Sequence, residues 1–111
     1  MEQIYKILAQ IIADTSSPDE AQALISDLFS ETERQGIAKR LAVALMLSNG
    51  RSYNEIKRKF GVSSATIARI QELLDKPGIK LAISKVKTDE WAEKLANKFA
   101  GALDKLLPKT T

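Results

Sequence analysis

Apolar residues recur along this chain at the spacing of one helix face after another. Ile4, Ile7, Leu8, Ile11 and Ile12 follow the i, i+3, i+4, i+7, i+8 pattern, which predicts an amphipathic helix over residues 2–13. Asp14-Thr15-Ser16-Ser17 interrupts it, and Ser17-Pro18-Asp19-Glu20 then reads as a capping box with proline at the first helical position, where its missing N–H costs nothing. The helix that follows carries Ala21, Leu24, Ile25 and Leu28 inward and ends near Phe29. Ser30-Glu31-Thr32-Glu33 is a further capping box. It opens a long helix to about Leu47, with Ile37, Leu41, Val43, Ala44 and Leu45 on the buried side, and Ser48-Asn49-Gly50 supplies the stop. No strand alternation of useful length and no internal repeat interrupts this pattern, so the expected class is all-α.

Residues 52–74, SYNEIKRKFGVSSATIARIQELL, read as a helix-turn-helix. Ser52 and Glu55 have capping-box spacing, and Tyr53, Ile56 and Phe60 fall on one face. Gly61 is the residue that can close the helix in a left-handed conformation, with Val62 tucked beneath the turn. Ser63 restarts the chain as an N-cap, and Ile67, Ile70 and Leu74 form the buried stripe of the second helix. Ser64, Ala65, Thr66 and Arg69 are left facing outward. Small and hydroxylic groups let that end of a helix approach base edges closely, and Arg69 adds a long donor. Two short amphipathic helices around a glycine turn also occur in all-α domains that never touch nucleic acid. Lys76-Pro77-Gly78 then predicts a sharp break before a short helix through Ile79, Ile83 and Val86. Thr88-Asp89 caps a final helix with the stripe Trp91, Leu95, Phe99, Leu103 and Leu106, ended by Pro108.

Charge favours the DNA reading. The net charge of +3 is the sum of unlike segments: residues 1–50 carry four Lys/Arg against seven Asp/Glu, residues 51–87 nine against three, and residues 88–111 four of each. The excess therefore sits on and just after the helix-turn-helix, at Arg51, Lys57, Arg58, Lys59, Arg69, Lys76, Lys80, Lys85 and Lys87. A duplex-binding surface has this distribution, because each neutralised phosphate releases condensed counterions. Any one of these cations could equally be part of a solvated face.

At 111 residues, 44% hydrophobic and 28% charged, the chain has the size and composition of one soluble globular domain, expected over 1–111. Residues 1–50 would form dimerisation and core helices, 51–75 the helix-turn-helix and 76–111 the C-terminal helices. Cysteine and histidine are both absent, which removes disulfides, the thiol nucleophile, the commonest general base and the commonest zinc ligand. With no phosphate-cradling glycine loop, and with acidic pairs at helix starts where capping accounts for them, an enzyme is not expected, nor a cofactor or metal. No apolar run approaches the roughly 18 residues of a membrane span, and no basic leader with a cleavage site opens the chain, so the expected location is the cytoplasm.

Residues 19–87 or so resemble the tryptophan-repressor superfamily, with the closest fit to its bacterial branch of TrpR-related proteins, the YerC/YecD type. The matching stretches are SETERQGIAKRLAVALML, SYNEIKRKFGVSSATIARIQELL and the proline break after them. The pairing of AKRLAVALML with GVSSATIAR at this separation is far more specific than a helix-turn-helix alone. The resemblance implies a Trp-repressor-like array of helices, intertwined as a homodimer, whose helix-turn-helix enters the major groove of an operator. Its DNA-facing positions fall on Lys57, Ser63, Ser64, Ala65 and Thr66. In the tryptophan repressor the corepressor is clamped between two arginines. Arg40 and Arg69 stand at those positions and Ser30 replaces a threonine, so Ser30, Arg40 and Arg69 mark an implied effector pocket.

Two departures argue against tryptophan. Ile70 stands where a glycine leaves space for the indole, and Leu73 where a serine binds the ligand's amino group. Forcing a ring against the branched side chain would cost on the order of 1–3 kcal/mol, and the ammonium would lose its polar partner. Arg40 and Arg69 then read better as salt-bridge or phosphate-binding residues. The expected function is a sequence-specific, DNA-binding transcriptional regulator on double-stranded DNA. Phosphate contacts would come from Arg51, Lys57, Arg58 and Lys59, and base reading from Ser64, Ala65, Thr66 and Arg69. The alternative is a helical protein-interaction adaptor that uses its amphipathic terminal helices. Both terminal helices are apolar on one side, and a second copy packed against them would place two recognition helices one DNA turn apart.

Overall fold

A computed structural model describes residues 1–86, and the expected final helix with its Trp91, Leu95 and Phe99 stripe lies outside them, as does Lys87. Among the described residues are six helices and no strand: α1 (Glu2–Ala13), α2 (Pro18–Leu28), α3 (Glu31–Ser48), α4 (Tyr53–Phe60), α5 (Ser64–Leu73) and α6 (Pro77–Ser84). The chain divides into two compact units, Met1–Gln35 and Gly36–Thr111.

In the first unit the helix starts follow the predicted capping chemistry. Ser17 Oγ accepts from the Glu20 amide at 3.1 Å, while the Glu20 carboxylate accepts from Ser16 Oγ at 3.0 Å instead of reaching back to the cap. Ser30 makes both halves of its box: its hydroxyl accepts from the Glu33 amide at 3.1 Å, and its amide donates to Glu33 Oε1 at 2.8 Å. The bond from the Ser30 amide, and after it the Ser30 hydroxyl at the carboxylate, hold the Glu33 carboxyl below the ordinary carboxylate range. The expected burial of the helix faces is not found. Neither α1 nor α2 has a buried residue. Ile4, Ile7, Ile11, Ile12, Ile25 and Leu28 are all exposed, at 44–57%.

The second unit is built around the C-terminal half of α3. Ala42, Val43, Ala44, Leu45 and Met46 are all buried, a run longer than one turn, so the helix is covered on every side there. A one-sided stripe misses Ala42 and Met46 for this reason, and it wrongly includes Ile37, which is 46% exposed. Val43, Ala44 and Met46 join Ile56 and Phe60 of α4, Val62 of the turn, and Ile67 and Ile70 of α5 in one apolar cluster, with Leu47, Leu74 and Ile79 packed against it. Gly50, at φ 78°, ends α3: its amide donates to the Leu47 carbonyl and that of Arg51 to the Met46 carbonyl, satisfying two end groups at once. Pro77 opens α6 as its first residue, so Pro77-Gly78 starts that helix as well as interrupting the chain.

Candidate nucleic-acid interface

The pair of helices α4 and α5, with the turn between them, is assembled by three local devices and one shared core. Ser52 Oγ accepts from the Glu55 amide at 3.2 Å and starts α4. Gly61, at φ 63° and ψ 28°, closes it, its amide donating to the Lys57 carbonyl at 2.9 Å. Ser63 then caps α5, its hydroxyl accepting from the Thr66 amide at 3.1 Å. Beneath the turn, Ile56 and Phe60 from α4, Val62, and Ile67 and Ile70 from α5 are buried together, which fixes how the two helices meet. Tyr53, expected on the same face as Ile56 and Phe60, is 37% exposed. It is the first residue of an eight-residue helix, one turn ahead of the pair that reaches the core, and its phenol tip gains from water.

With the apolar side buried, α5 leaves Ser64, Ala65 and Arg69 exposed and Thr66 half-buried at its rim. Lys57 and Arg58 are exposed in the last turn of α4, where positive charge also complements the helix dipole, and Lys59 is half-buried beside them. Lys76, Lys80 and Lys85 are exposed further along. Arg51 is engaged: its guanidinium pairs with the Glu55 carboxylate at 3.4 Å. The Ser63 hydroxyl is likewise occupied, because it also donates to Thr66 Oγ1 at 3.0 Å.

Behind the opening of α5 lies a half-open cleft of about 260 Å³, lined by Gly36, Lys39 and Arg40 of α3 and by Thr66, Arg69, Ile70 and Leu73 of α5. It brings together the two arginines singled out in the sequence, Arg40 and Arg69, and adds Lys39, which sequence reading passed over; its place one residue before Arg40 was the available signal. Ile70 and Leu73, the two residues that depart from the corepressor-binding pattern, both line it. Ser30 lies in the first unit, where its hydroxyl and amide are taken by the capping box. Among the described residues no group of three or more acidic side chains is placed to hold a metal ion, and no helix is long and apolar enough to cross a membrane.

Comparison with known proteins converges on the same stretch of chain. The profile of a family described as Trp repressor protein matches residues 3–87. Among curated proteins, YerC of Bacillus subtilis (strain 168), described as uncharacterized, is 35% identical over 74 residues, which cover 65% of this chain and 71% of that protein. No solved structure matches the chain with significance.

Proposed function

The chain belongs to the Trp repressor family, and from that premise we propose that it is a sequence-specific, DNA-binding transcriptional regulator acting as a homodimer. The observation that carries this reading is the state of α5: its outer face presents Ser64, Ala65 and Arg69 to solvent, and Lys57 and Arg58 of α4 are exposed as well. Lys57, Arg58 and Lys59 contact phosphates and set register, and Ser64, Ala65, Thr66 and Arg69 read base edges. Arg51 joins the phosphate contacts only by loosening its pair with Glu55, so it adds less than a free arginine would. The family is one of regulators and not of enzymes, and the chain's lack of histidine and cysteine agrees with that.

Dimerisation is supported by the isoleucines of α1, a stripe left exposed among the described residues. The same stripe favours a second reading, an adaptor that receives a partner helix. Light scattering separates the two: a stable monomer points to the adaptor, and a dimer to the regulator. The decisive experiment is selection of bound duplexes from a random pool. A near-palindromic site bound more weakly as salt rises is expected, with Lys57→Ala weakening all sequences alike and Ser64→Ala changing preference at one position per half-site. Equal affinity for every duplex, or none at low salt, removes the regulator reading.

A further inference from the structure

The spacing of α5 sorts its side chains by how directly they face outward. Ile67 and Ile70 are buried, while Ala65, Ala68, Arg69 and Glu72, at i, i+3, i+4 and i+7, are exposed and run along the opposite side. Ser64 and Thr66 flank this ridge. Apart from the buried isoleucines, residues 64–70 carry two hydroxyls, two alanine methyls and one guanidinium, with neither a carboxamide nor a carboxylate among them. Thr66 is narrowed further. Ser63 Oγ accepts from the Thr66 amide at 3.1 Å and donates to Thr66 Oγ1 at 3.0 Å, so what the Thr66 hydroxyl has left to give is its proton. Glu72 ends the ridge about 10 Å beyond Ala65 along the axis, where a phosphate backbone would repel it. The ridge therefore favours entering a groove by its donor end over lying along one.

Such a face selects among bases. In the major groove guanine presents only acceptors, N7 and O6, and thymine presents an acceptor and a methyl group, whereas adenine and cytosine each present an amino donor. Reading an amino donor well takes a carboxamide or a carboxylate, which the first two turns of α5 lack. A guanidinium matches guanine with two parallel bonds, and an alanine methyl packs on the thymine methyl. Among the described residues no ion pair holds the Arg69 guanidinium back from such a contact.

On the regulator reading, on which this rests, we infer that the bases facing α5 in each half-site are guanine and thymine, the guanine read through Arg69 and the thymine methyl through Ala65. Thr66, as a donor, adds a bond to an acceptor edge of the same kind and none to an amino group. The preference belongs to the side chains of the outer ridge, so it moves when they are exchanged and stays when phosphate-contacting cations are removed.

The test uses the full chain and the half-site it selects from a random pool, rebuilt with single base analogues. Replacing guanine by 7-deazaguanine removes the N7 acceptor, and replacing thymine by uracil removes the methyl group. For the native chain the first change is expected to weaken binding about tenfold and the second about threefold. In Arg69→Ala, at an exposed position, the penalty for 7-deazaguanine is expected to vanish while that for uracil stays, a coupling that a merely structural role for Arg69 would not produce. Ala65→Gln supplies the missing carboxamide at an exposed position and is expected to move the selected base there from thymine to adenine. A selected half-site without guanine or without thymine, analogues bound as tightly as the natural bases, a 7-deazaguanine penalty undiminished in Arg69→Ala, or thymine still selected by Ala65→Gln overturns the inference and leaves the regulator reading standing. If no duplex is selected at all, both fall together.

Discussion

At Gly61 the backbone adopts φ 63° and ψ 28°, a left-handed conformation that a Cβ makes costly even where, as here, nothing else crowds the position. Gly61→Ala is therefore expected to destabilise the fold by about 1–2 kcal/mol, read as a lower urea midpoint with an unchanged slope. An unchanged midpoint would mean that the turn relaxes to another conformation. Glu33 offers a second test at this scale. Its carboxyl is held below the ordinary range chiefly by the bond from the Ser30 amide, then by the Ser30 hydroxyl, so its charged form is favoured in the folded chain. A depressed folded pKa gives a stabilising contribution that is complete above the ordinary carboxylate range and is lost as pH falls through the lower, folded value. Urea midpoints taken from neutral to acid pH are expected to fall more steeply in the native chain than in Glu33→Gln, and parallel curves would sink this account.

Among the elements, α5 owes its placement to Ile67 and Ile70, and α3 to the run from Ala42 to Met46. Ile67 has no exposed surface, so Ile67→Ala is expected to cost about 2–5 kcal/mol, whereas Ile37→Ala, at a position 46% exposed, should stay within about 0.5 kcal/mol. Thermal unfolding of the two variants checks both, and a large loss in Ile37→Ala would show that its face is covered in solution. The contrast marks what the sequence made legible. Element boundaries came from local chemistry at Ser17, Ser30, Ser52, Gly61 and Ser63, where one side chain or one dihedral angle decides the outcome. Which cations gather around a cleft depends on how α3 meets α5, so Lys39 joins Arg40 and Arg69 only once the fold is known. Burial was legible where a helix has one wet side, as in α4 and α5. It failed along α3, where apolar neighbours enclose the helix, and along α1 and α2, whose apolar faces are not buried among the described residues.

For the whole molecule that last failure is informative. An i, i+3, i+4, i+7 repeat of isoleucine and leucine is the pattern of a buried face, yet Ile7 and Ile11 are 55% and 44% exposed. On the proposed regulator reading, a second copy seated on α1 would resolve the conflict and would also give the molecule two recognition helices, so that each half-site raises the effective concentration for the other. Ile7→Asp combined with Ile11→Asp tests this without attacking the core, because neither residue belongs to the apolar cluster of the second unit. The doubly substituted chain is expected to keep its helical content, to run as a monomer in sedimentation, and to bind a palindromic duplex about a hundredfold more weakly than the native chain. Its dependence on salt should be shallower as well, since one helix-turn-helix neutralises about half as many phosphates as two and the slope follows that number. A dimer that survives both substitutions would place the seam elsewhere. A monomer that binds the palindrome with native affinity and native salt slope would show that a single α5 supplies the recognition, and the exposed face of α1 would then belong to a different partner.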